Sequence, residues 1–526
     1  MVQLNQVNTT DLVDAIGLGC RAMGRAFNRD DADMPYGGAQ VRPTAYLGGS
    51  MEGHMPGRHL NALLAAEEAL GLELDDGLVD KHARAAFFSY RRAPLPLQRI
   101  GQHKSGKGEP VELLEHNLRE GFHALYALAA FRGSERAVEL AAASIDLLFE
   151  YWVPNQQWDR QRLEGDTPVR LTPAQTFIQG PARAIGPLVK LYRVTGHRPA
   201  LELAEVLKDK AVREVFLADG SFANQRFGVH VHSTTCVLSS LAQLAECTGD
   251  SALMDRVSAF YNNGLWDLRD QIGWSIEVSD LPARCRRGEA NNTGDIIETA
   301  LILGRWGRAE YYADAERMLR SHLLPSQLRD ISFIEEPDNP DGIDGKRDVA
   351  QRLQGGFGFP APYGHEPLGI WQSNKPRIGF NIDIVGGSVG SLVAAYKAVV
   401  RRDGDGHWVD MLFDCCNDDI EVQSPYTHGR LAVKIKRPGE LHVRVPSWID
   451  GAAIKVEGAC PPTLSDGYAV LEEPAVGAWI GFVFELPVHE TVLTWRDSAI
   501  RARLRGDEVV AMDNFGTDLT FFESFD

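Results

Sequence analysis

From residue 11 to about residue 400, apolar positions recur at three- and four-residue spacing, and each such stretch predicts a helix with one buried face. The predicted helices are 11–28, 57–72, 77–92, 117–131, 135–151, 181–195, 198–215, 233–247, 250–264, 293–306, 309–322 and 386–401. Several are joined by one kind of corner: Phe131-Arg132-Gly133-Ser134, Val194-Thr195-Gly196-His197, Cys247-Thr248-Gly249-Asp250 and Arg305-Trp306-Gly307-Arg308. In each, glycine suits the left-handed cap that ends a helix, and in two a Ser or Asp follows to start the next. The corners recur every 50–65 residues or so, a period of helical hairpins repeated around a ring or along a solenoid.

The connections alternate. Short corners stand at one end, and long segments (29–56, 93–116, 152–180, 216–232, 265–292 and 323–385) stand at the other. Long loops gathered on one face of a rigid scaffold are where sites are built, so the active face is expected there. Beyond about residue 410 the period changes to two. Leu431-Ala-Val-Lys-Ile435, Leu441-His-Val-Arg444 and Trp479-Ile-Gly-Phe-Val-Phe484 alternate between Gly, Pro and Asp turns, which predicts a small β-sandwich. The expected division is a helical domain over 1–408 and a β-domain over 409–526.

Composition narrows the partners. The 526 residues carry 72 acids against 54 bases, a net charge of -18, and this argues against nucleic-acid binding. No apolar run approaches membrane-spanning length, and the first residues have neither the basic start nor the apolar core of a signal peptide, so a cytoplasmic protein without membrane contact is expected. The seven cysteines are scattered and do not read as a disulfide framework. Cys415 and Cys416 sit before a strand, where neighbouring side chains point to opposite faces, which disfavours joint chelation of a metal.

Four places concentrate candidate chemistry. Glu52 and His54 lie in the loop before a helix, while His59 falls inside it and reads as packing. His230 and His232 precede another helix, and the local sequence offers no third ligand for zinc, so hydrogen bonding to a substrate is the better reading for His232. The stretch 270–282 holds Trp274, Glu277 and Asp280, an aromatic face beside carboxylates of the kind that carbohydrate sites use. Gly288-Glu289-Ala290-Asn291-Asn292-Thr293-Gly294-Asp295-Ile296-Ile297-Glu298 opens an apolar helix. There Asn292 or Thr293 can cap the helix, Asp295 and Glu298 can complement its dipole, and Glu289 is left over for chemistry. Glycosidic cleavage needs a carboxyl proton donor and a second group as base or nucleophile, and Glu277 with Glu289 makes such a pair.

Three motifs in order resemble glycoside hydrolase family 127, the β-L-arabinofuranosidase-like branch of the six-hairpin glycosidases. Gly48-Gly49-Ser50-Met51-Glu52-Gly53-His54 with Gly57, Leu60, Ala62 and Leu63 is similar to the family's Gly-His-x-x-Gly-x-x-Leu-x-Ala-Leu. His232-Ser233-Thr234-Thr235 resembles its His-x-Asn-Thr. Asp280-Leu281-Pro282, then Glu289-Ala290-Asn291, then Tyr312-Ala313-Asp314 with Glu316-Arg317, resembles Asp-Leu-Pro, Glu-x-Cys and a helix of the type Tyr-Ala-Asp-x-x-Glu-Arg. Val443-Arg444-Val445-Pro446-Ser447-Trp448 is similar to an opening strand of the family's β-sandwich. The likeness spans about residues 45 to 450 and implies a mainly α protein, an (α/α)6 barrel followed by a C-terminal β-sandwich, with a sugar site on the long-loop face.

The departures matter as much. The family's zinc is held by a Cys-Cys pair before the last barrel helix together with Glu-x-Cys. Here that slot reads Asn381-Ile382-Asp383, and Asn291 replaces the third thiolate. The expectation is therefore a carbohydrate-active enzyme that cleaves a glycosidic bond in an oligosaccharide or glycoside without metal or cofactor. Glu289, Glu277 and His232 would carry the chemistry, while Glu52, His54, Trp274, Asn291, Tyr363, His365 and Asp383 would contact the substrate. A lyase acting on a uronic sugar by β-elimination and a non-catalytic sugar binder remain alternatives, and a homodimer is left open.

Overall fold

The computed structural model describes the whole chain except residues 1, 4, 5, 102–107, 281–286, 359–377, 452, 453, 497, 514–518, 521 and 526. Twelve helices build its larger part: α1 (Leu12–Gly24), α2 (Met55–Leu70), α3 (Asp76–Ser89), α4 (Asn117–Arg132), α5 (Glu135–Tyr151), α6 (Ile185–Thr195), α7 (Arg198–Glu214), α8 (Val231–Thr248), α9 (Ser251–Asn262), α10 (Ala290–Arg305), α11 (Glu310–Met318) and α12 (Asp383–Lys397). Helices α2, α4, α6, α8, α10 and α12 pack in sequence, and α12 returns to α2, so they form a closed inner ring. Helices α3, α5, α7, α9 and α11 each back the inner helix before them, and α1 takes the sixth outer place against α12. The expected barrel is present, and the first and last of its helices close it.

Three of the four glycine corners act as their spacing predicts; at the fourth, Trp306 caps α10 in the right-handed region and Gly307 only follows it. Gly71, Gly133, Gly196 and Gly249 end α2, α4, α6 and α8 in the left-handed region, each with its N–H bonded back into the helix. Ser134 and Asp250 then cap α5 and α9 by accepting from Ala137 N and Leu253 N. Every inner helix is entered from a long segment, so all six N-termini share one face.

Several boundaries differ from the sequence reading; α1, for one, ends at Gly24, and Phe27–Asn28 is already a strand. Helix α10 begins three residues early because Asn292 and Thr293 do not cap it. Their side chains reach back to Ile276 O (2.8 Å) and Gly273 O (2.6 Å) and tie the helix to the preceding hairpin. Helix α12 starts at Asp383 and stops at Lys397, and Val400–Asp403 is already a strand of the first C-terminal sheet, paired with Gly406–Val409.

The C-terminal part holds two five-stranded sheets and a four-stranded sheet, with Val409, Val433, Leu441, Ile480 and Phe482 in the same continuous core as the barrel. In the paired strands Cys415–Cys416 and Ile420–Gln423, Cys415 is buried and Cys416 exposed, as a period of two requires. Glu316 on α11 fastens this part to the barrel: it pairs with Arg320 (2.9 Å) and with Arg444, and accepts from Leu412 N (3.0 Å). Among the described residues no helix is long and apolar enough to cross a membrane.

A second buried carboxylate sits on the barrel axis. Glu120 Oε1 accepts from Arg58 Nε (3.0 Å), Arg119 Nη1 (3.2 Å) and Arg183 Nη2 (3.1 Å), which come from α2, α4 and the turn before α6. Burial raises the Glu120 carboxyl, but His54 and the three guanidinium groups outweigh it and hold it well below the carboxylate range. Helices α2 and α4 approach so closely here that a Cβ on Gly57 would stand 1.7 Å from Glu120 O.

Glu120→Ala leaves three buried cations without their shared anion and is expected to lower unfolding free energy by about 3–5 kcal/mol, read by urea titration at neutral pH. Because the folded carboxyl is depressed, its contribution is present above the ordinary carboxylate pKa and is lost as pH falls through the folded value, so wild type and variant should converge in acid. Gly57→Ala, which overpacks the α2–α4 contact, is expected to cost about 3 kcal/mol, whereas Gly133→Ala, strained only in its backbone, should cost about 1 kcal/mol by the same measurement.

Candidate active site

Three backbone segments lie side by side over the mouth of the ring and present the acids and histidines that the sequence singled out. Val231 N bonds Glu277 O (3.0 Å), Glu277 N bonds Arg287 O (2.9 Å) and Glu289 N bonds Ser275 O (3.1 Å). This brings His230 and His232 at the start of α8 beside Glu277 and beside Glu289, which occupies the N-cap position of α10. On the opposite wall, His54 before α2 meets Asp383 in the first turn of α12.

The groups connect in a chain. His54 Nε2 donates to Asp383 Oδ2 (3.1 Å), and His54 Nδ1 faces Asn117 Oδ1 (3.1 Å). Arg58 Nε lies 3.8 Å from Asp383 Oδ2, and its Nη2 lies 3.2 Å from His232 Nε2. His232 Nδ1 is 3.9 Å from Glu289 Oε1, and its Nε2 is 3.4 Å from Asp295 Oδ2. Asn291 Nδ2 donates to Glu289 Oε1 (2.9 Å).

Burial raises both carboxyl ends of this chain, and their neighbours then set them apart. Glu289 is 5% exposed and, among the described residues, has no Lys or Arg in contact; burial first, then the charges of Glu277 and Asp383, push its carboxyl up to about 8. Asp383 is equally buried, but the hydrogen bond from His54 and the charge of Arg58 overcome burial and bring it down to about 2. The N-terminus of α12 adds positive potential. Asp383 Oδ1 has no hydrogen-bond partner among the described residues. Burial and the nearby arginines hold His232 well below its ordinary value, and His230 falls to about 3, so both imidazoles are neutral.

Several expectations change. Trp274 offers no face to a sugar: it is fully buried, and its ring stands edge-on to Trp495 of the C-terminal hairpin with centroids 5.2 Å apart. Glu52 is likewise internal, accepting from Arg99 N (2.7 Å) and Arg99 Nε (3.0 Å), so it anchors the loop instead of contacting a ligand. Glu277 is ion-paired with Arg287, and burial raises its carboxyl against that pairing. Tyr363 and His365 lie outside the described residues. Asp295, read from sequence as complementing the dipole of its helix, forms part of the floor: it accepts from Thr235 Oγ1 (3.0 Å), faces Arg119 (3.5 Å) and is pushed up to about 7, first by burial.

The sequence reading also missed Glu115, His116, Asn117 and Glu120. They precede or open α4 and carry no motif, but the run Glu115-His116-Asn117 at the end of a long segment is the signal that could have marked them. Burial pushes Glu115 up to about 7 and His116 well below its usual value, and the His116 ring packs against that of His54.

Two groups among the described residues bring three possible metal ligands within 4.8 Å: His230, His232 and Glu289, and His232, Cys236 and Asp295. The fold thus supplies a third ligand that the local sequence around His230 and His232 lacks. The thiolate set of family 127 is nevertheless not reproduced, because Asn291 directs an amide at Glu289 and the residues before α12 include no cysteine. Arg58 also sets a fixed positive charge against His232, and the Cys236 thiol, pushed up to about 11 by burial, donates to Ser233 O (3.4 Å). The residues present do not fit the family's zinc centre.

No protein-family model and no curated protein matches the sequence. Solved structures do match in fold. A family 127 β-arabinofuranosidase superposes with a TM-score of 0.55 at 14% identity, covering 96% of this chain and 82% of its own. The family 127 β-L-arabinofuranosidase from Geobacillus stearothermophilus T6 gives 0.54 at 16% identity, covering 94% and 80%. The chain therefore has the family 127-like six-hairpin architecture, a helical barrel followed by a β-domain, at a sequence distance that leaves the chemistry to be argued from its own residues.

Proposed function

We propose that this protein is a glycoside hydrolase in which Glu289 is the proton donor and Asp383 the ionised partner. One observation carries the reading: two carboxyl groups in one cleft, joined through Arg58 and His232, are driven apart in acidity, Glu289 up to about 8 and Asp383 down to about 2. That separation is what assigns acid and base roles to a carboxyl pair. At neutral pH Glu289 holds a proton it can give to the glycosidic oxygen as the C–O bond breaks. Asp383 presents an unpartnered oxygen, Oδ1, to the anomeric carbon or to the water that attacks it.

The surrounding residues fit these roles. His54 and Arg58 keep Asp383 ionised and aimed. Neutral His232 and the Asn291 amide position Glu289 without adding the cation that would discharge it. Glu277, held by Arg287, raises Glu289 by its charge, a supporting part in place of the pairing expected from sequence. The fold shared with family 127 β-L-arabinofuranosidases supports a sugar as substrate and does not name which one.

A panel of aryl glycosides, furanosides included, should release the aryl alcohol from at least one member; an ultraviolet-absorbing unsaturated uronate in place of that product would favour a lyase, and sugar binding without turnover a binder. Activity needs Glu289 protonated, so kcat/KM should fall as pH rises through about 8, with no loss on the acid side until pH approaches the region of Asp383 near 2. Glu289→Gln should lower kcat/KM by about a thousandfold for poor leaving groups and far less for activated ones. Asp383→Ala should lose activity with every leaving group and regain part of it with azide if Asp383 is a nucleophile. Unchanged kcat/KM in either variant would remove that residue from the mechanism.

A further inference from the structure

Behind the Asp383 carboxylate stand two histidines that take no part in the chemistry above. His59 follows Arg58 on α2, and His82 lies on α3, the outer helix that backs α2; both are fully buried. Their rings meet edge to face with centroids 4.8 Å apart, and the Phe27 ring packs on His82 at 4.6 Å. His59 Nδ1 lies 3.2 Å from His82 Nε2. His59 Nε2 lies 3.2 Å from Ile382 O, the carbonyl of the peptide that leads into Asp383.

The acceptor at the end sets the direction of donation. Burial brings His59 down to about 4 and His82 well below its usual value, so each ring carries one proton at neutral pH. A carbonyl only accepts, so the His59 proton is on Nε2, and the bare Nδ1 accepts from His82 Nε2. His82 Nδ1 is then a lone pair, and it has no hydrogen bond among the described residues. Met23 O of α1 is the rival acceptor for the His82 proton, but of the two carbonyls only Ile382 O meets its imidazole in hydrogen-bond geometry.

What the pair holds is the start of α12. Ile382 N donates to Gly37 O (3.1 Å), and Ile382 O accepts from both Val385 N (3.2 Å) and His59 Nε2. The first turn of α12 rests directly on this part of α2: a Cβ on Gly386 would stand 2.8 Å from the Arg58 backbone and 2.9 Å from His59 Cδ2. The Asp383 carboxylate is tethered through Oδ2, which bonds His54 and faces Arg58. With one oxygen tethered, the direction of the other is set by the backbone that carries the side chain.

We propose that His59, oriented by His82, is a positioning residue for Asp383: a relay from α3 through α2 fixes the Ile382–Asp383 peptide and so aims the free carboxylate oxygen. The proposal rests on the hydrolase reading, in which Asp383 is the ionised partner. Neither imidazole touches substrate.

In the full-length protein, His59→Leu removes the donor, whereas His59→Gln keeps an amide N–H for Ile382 O. With aryl glycosides, His59→Leu should lower kcat by about tenfold or more at a nearly unchanged KM, for good and poor leaving groups alike, because a misaimed carboxylate is felt whichever group departs. His59→Gln should recover most of that loss, and the fall in kcat/KM through about 8 that belongs to Glu289 should stay in place in both. A merely structural role would make both variants lose activity in step with their melting temperatures. His82→Phe leaves His59 Nδ1 without its donor; it should lower kcat by about threefold and stands in for His59→Leu if that variant does not fold. Nitrogen-15 NMR of histidine-labelled protein at neutral pH, with the His59 signal assigned by its loss in His59→Gln, should show a proton on Nε2 and none on Nδ1. A proton on Nδ1, wild-type kcat in folded His59→Leu, or equal losses in His59→Leu and His59→Gln overturns the proposal. A wild-type protein that shows this tautomer and hydrolyses no glycoside would remove the hydrolase reading, and with it the aiming role, while leaving the bond that seats α12.

Discussion

Much of this structure depends on one carboxylate that has been taken out of water and given three guanidinium partners. Glu120 is fully buried, and each of its arginines arrives from a different part of the ring. Such a centre is costly to desolvate and holds only with its geometry intact. Its value here is positional. Arg58, fixed by Glu120 on one side, is free to face Asp383 and His232 on the other. The same ion cluster that registers α2 against α4 therefore also aims the charge that separates the two candidate catalytic carboxyls.

That separation needs no unusual residue. Glu289 and Asp383 are equally exposed, and both sit at helix starts. They differ in neighbours: Asp383 has a histidine and an arginine, whereas Glu289 has an amide, a neutral imidazole and two other acids at a distance. Within one cleft, the acidity of two equally buried carboxyls is set by which of them has a cation beside it.

The helical ring was legible in the sequence because its signals are local. The corners at Gly133, Gly196 and Gly249 combine a left-handed cap with a following helix start, and the three- and four-residue period does the rest. Glu289 stood out because nothing in its helix required it. What was not legible depends on packing between distant segments. Trp274 beside Glu277 has the composition of a sugar platform, yet Trp495, more than 200 residues later, covers it. Asp295 looks like a dipole-complementing acid until α8 places His232 and Thr235 against it. Glu120 is one ordinary acid in an amphipathic helix, and only ring closure shows that three arginines converge on it.

The outer place beside α12 is filled by α1, so the two helices that complete the barrel stand more than 350 residues apart in the chain. During synthesis the ring therefore remains an open arc, with the inner faces of α2 and α10 uncovered until α12 emerges. Asp383 is the first residue of that closing helix. The cleft thus gains its ionised carboxylate in the same event that seals the barrel, and an unfinished arc, however well folded, lacks one half of the proposed carboxyl pair.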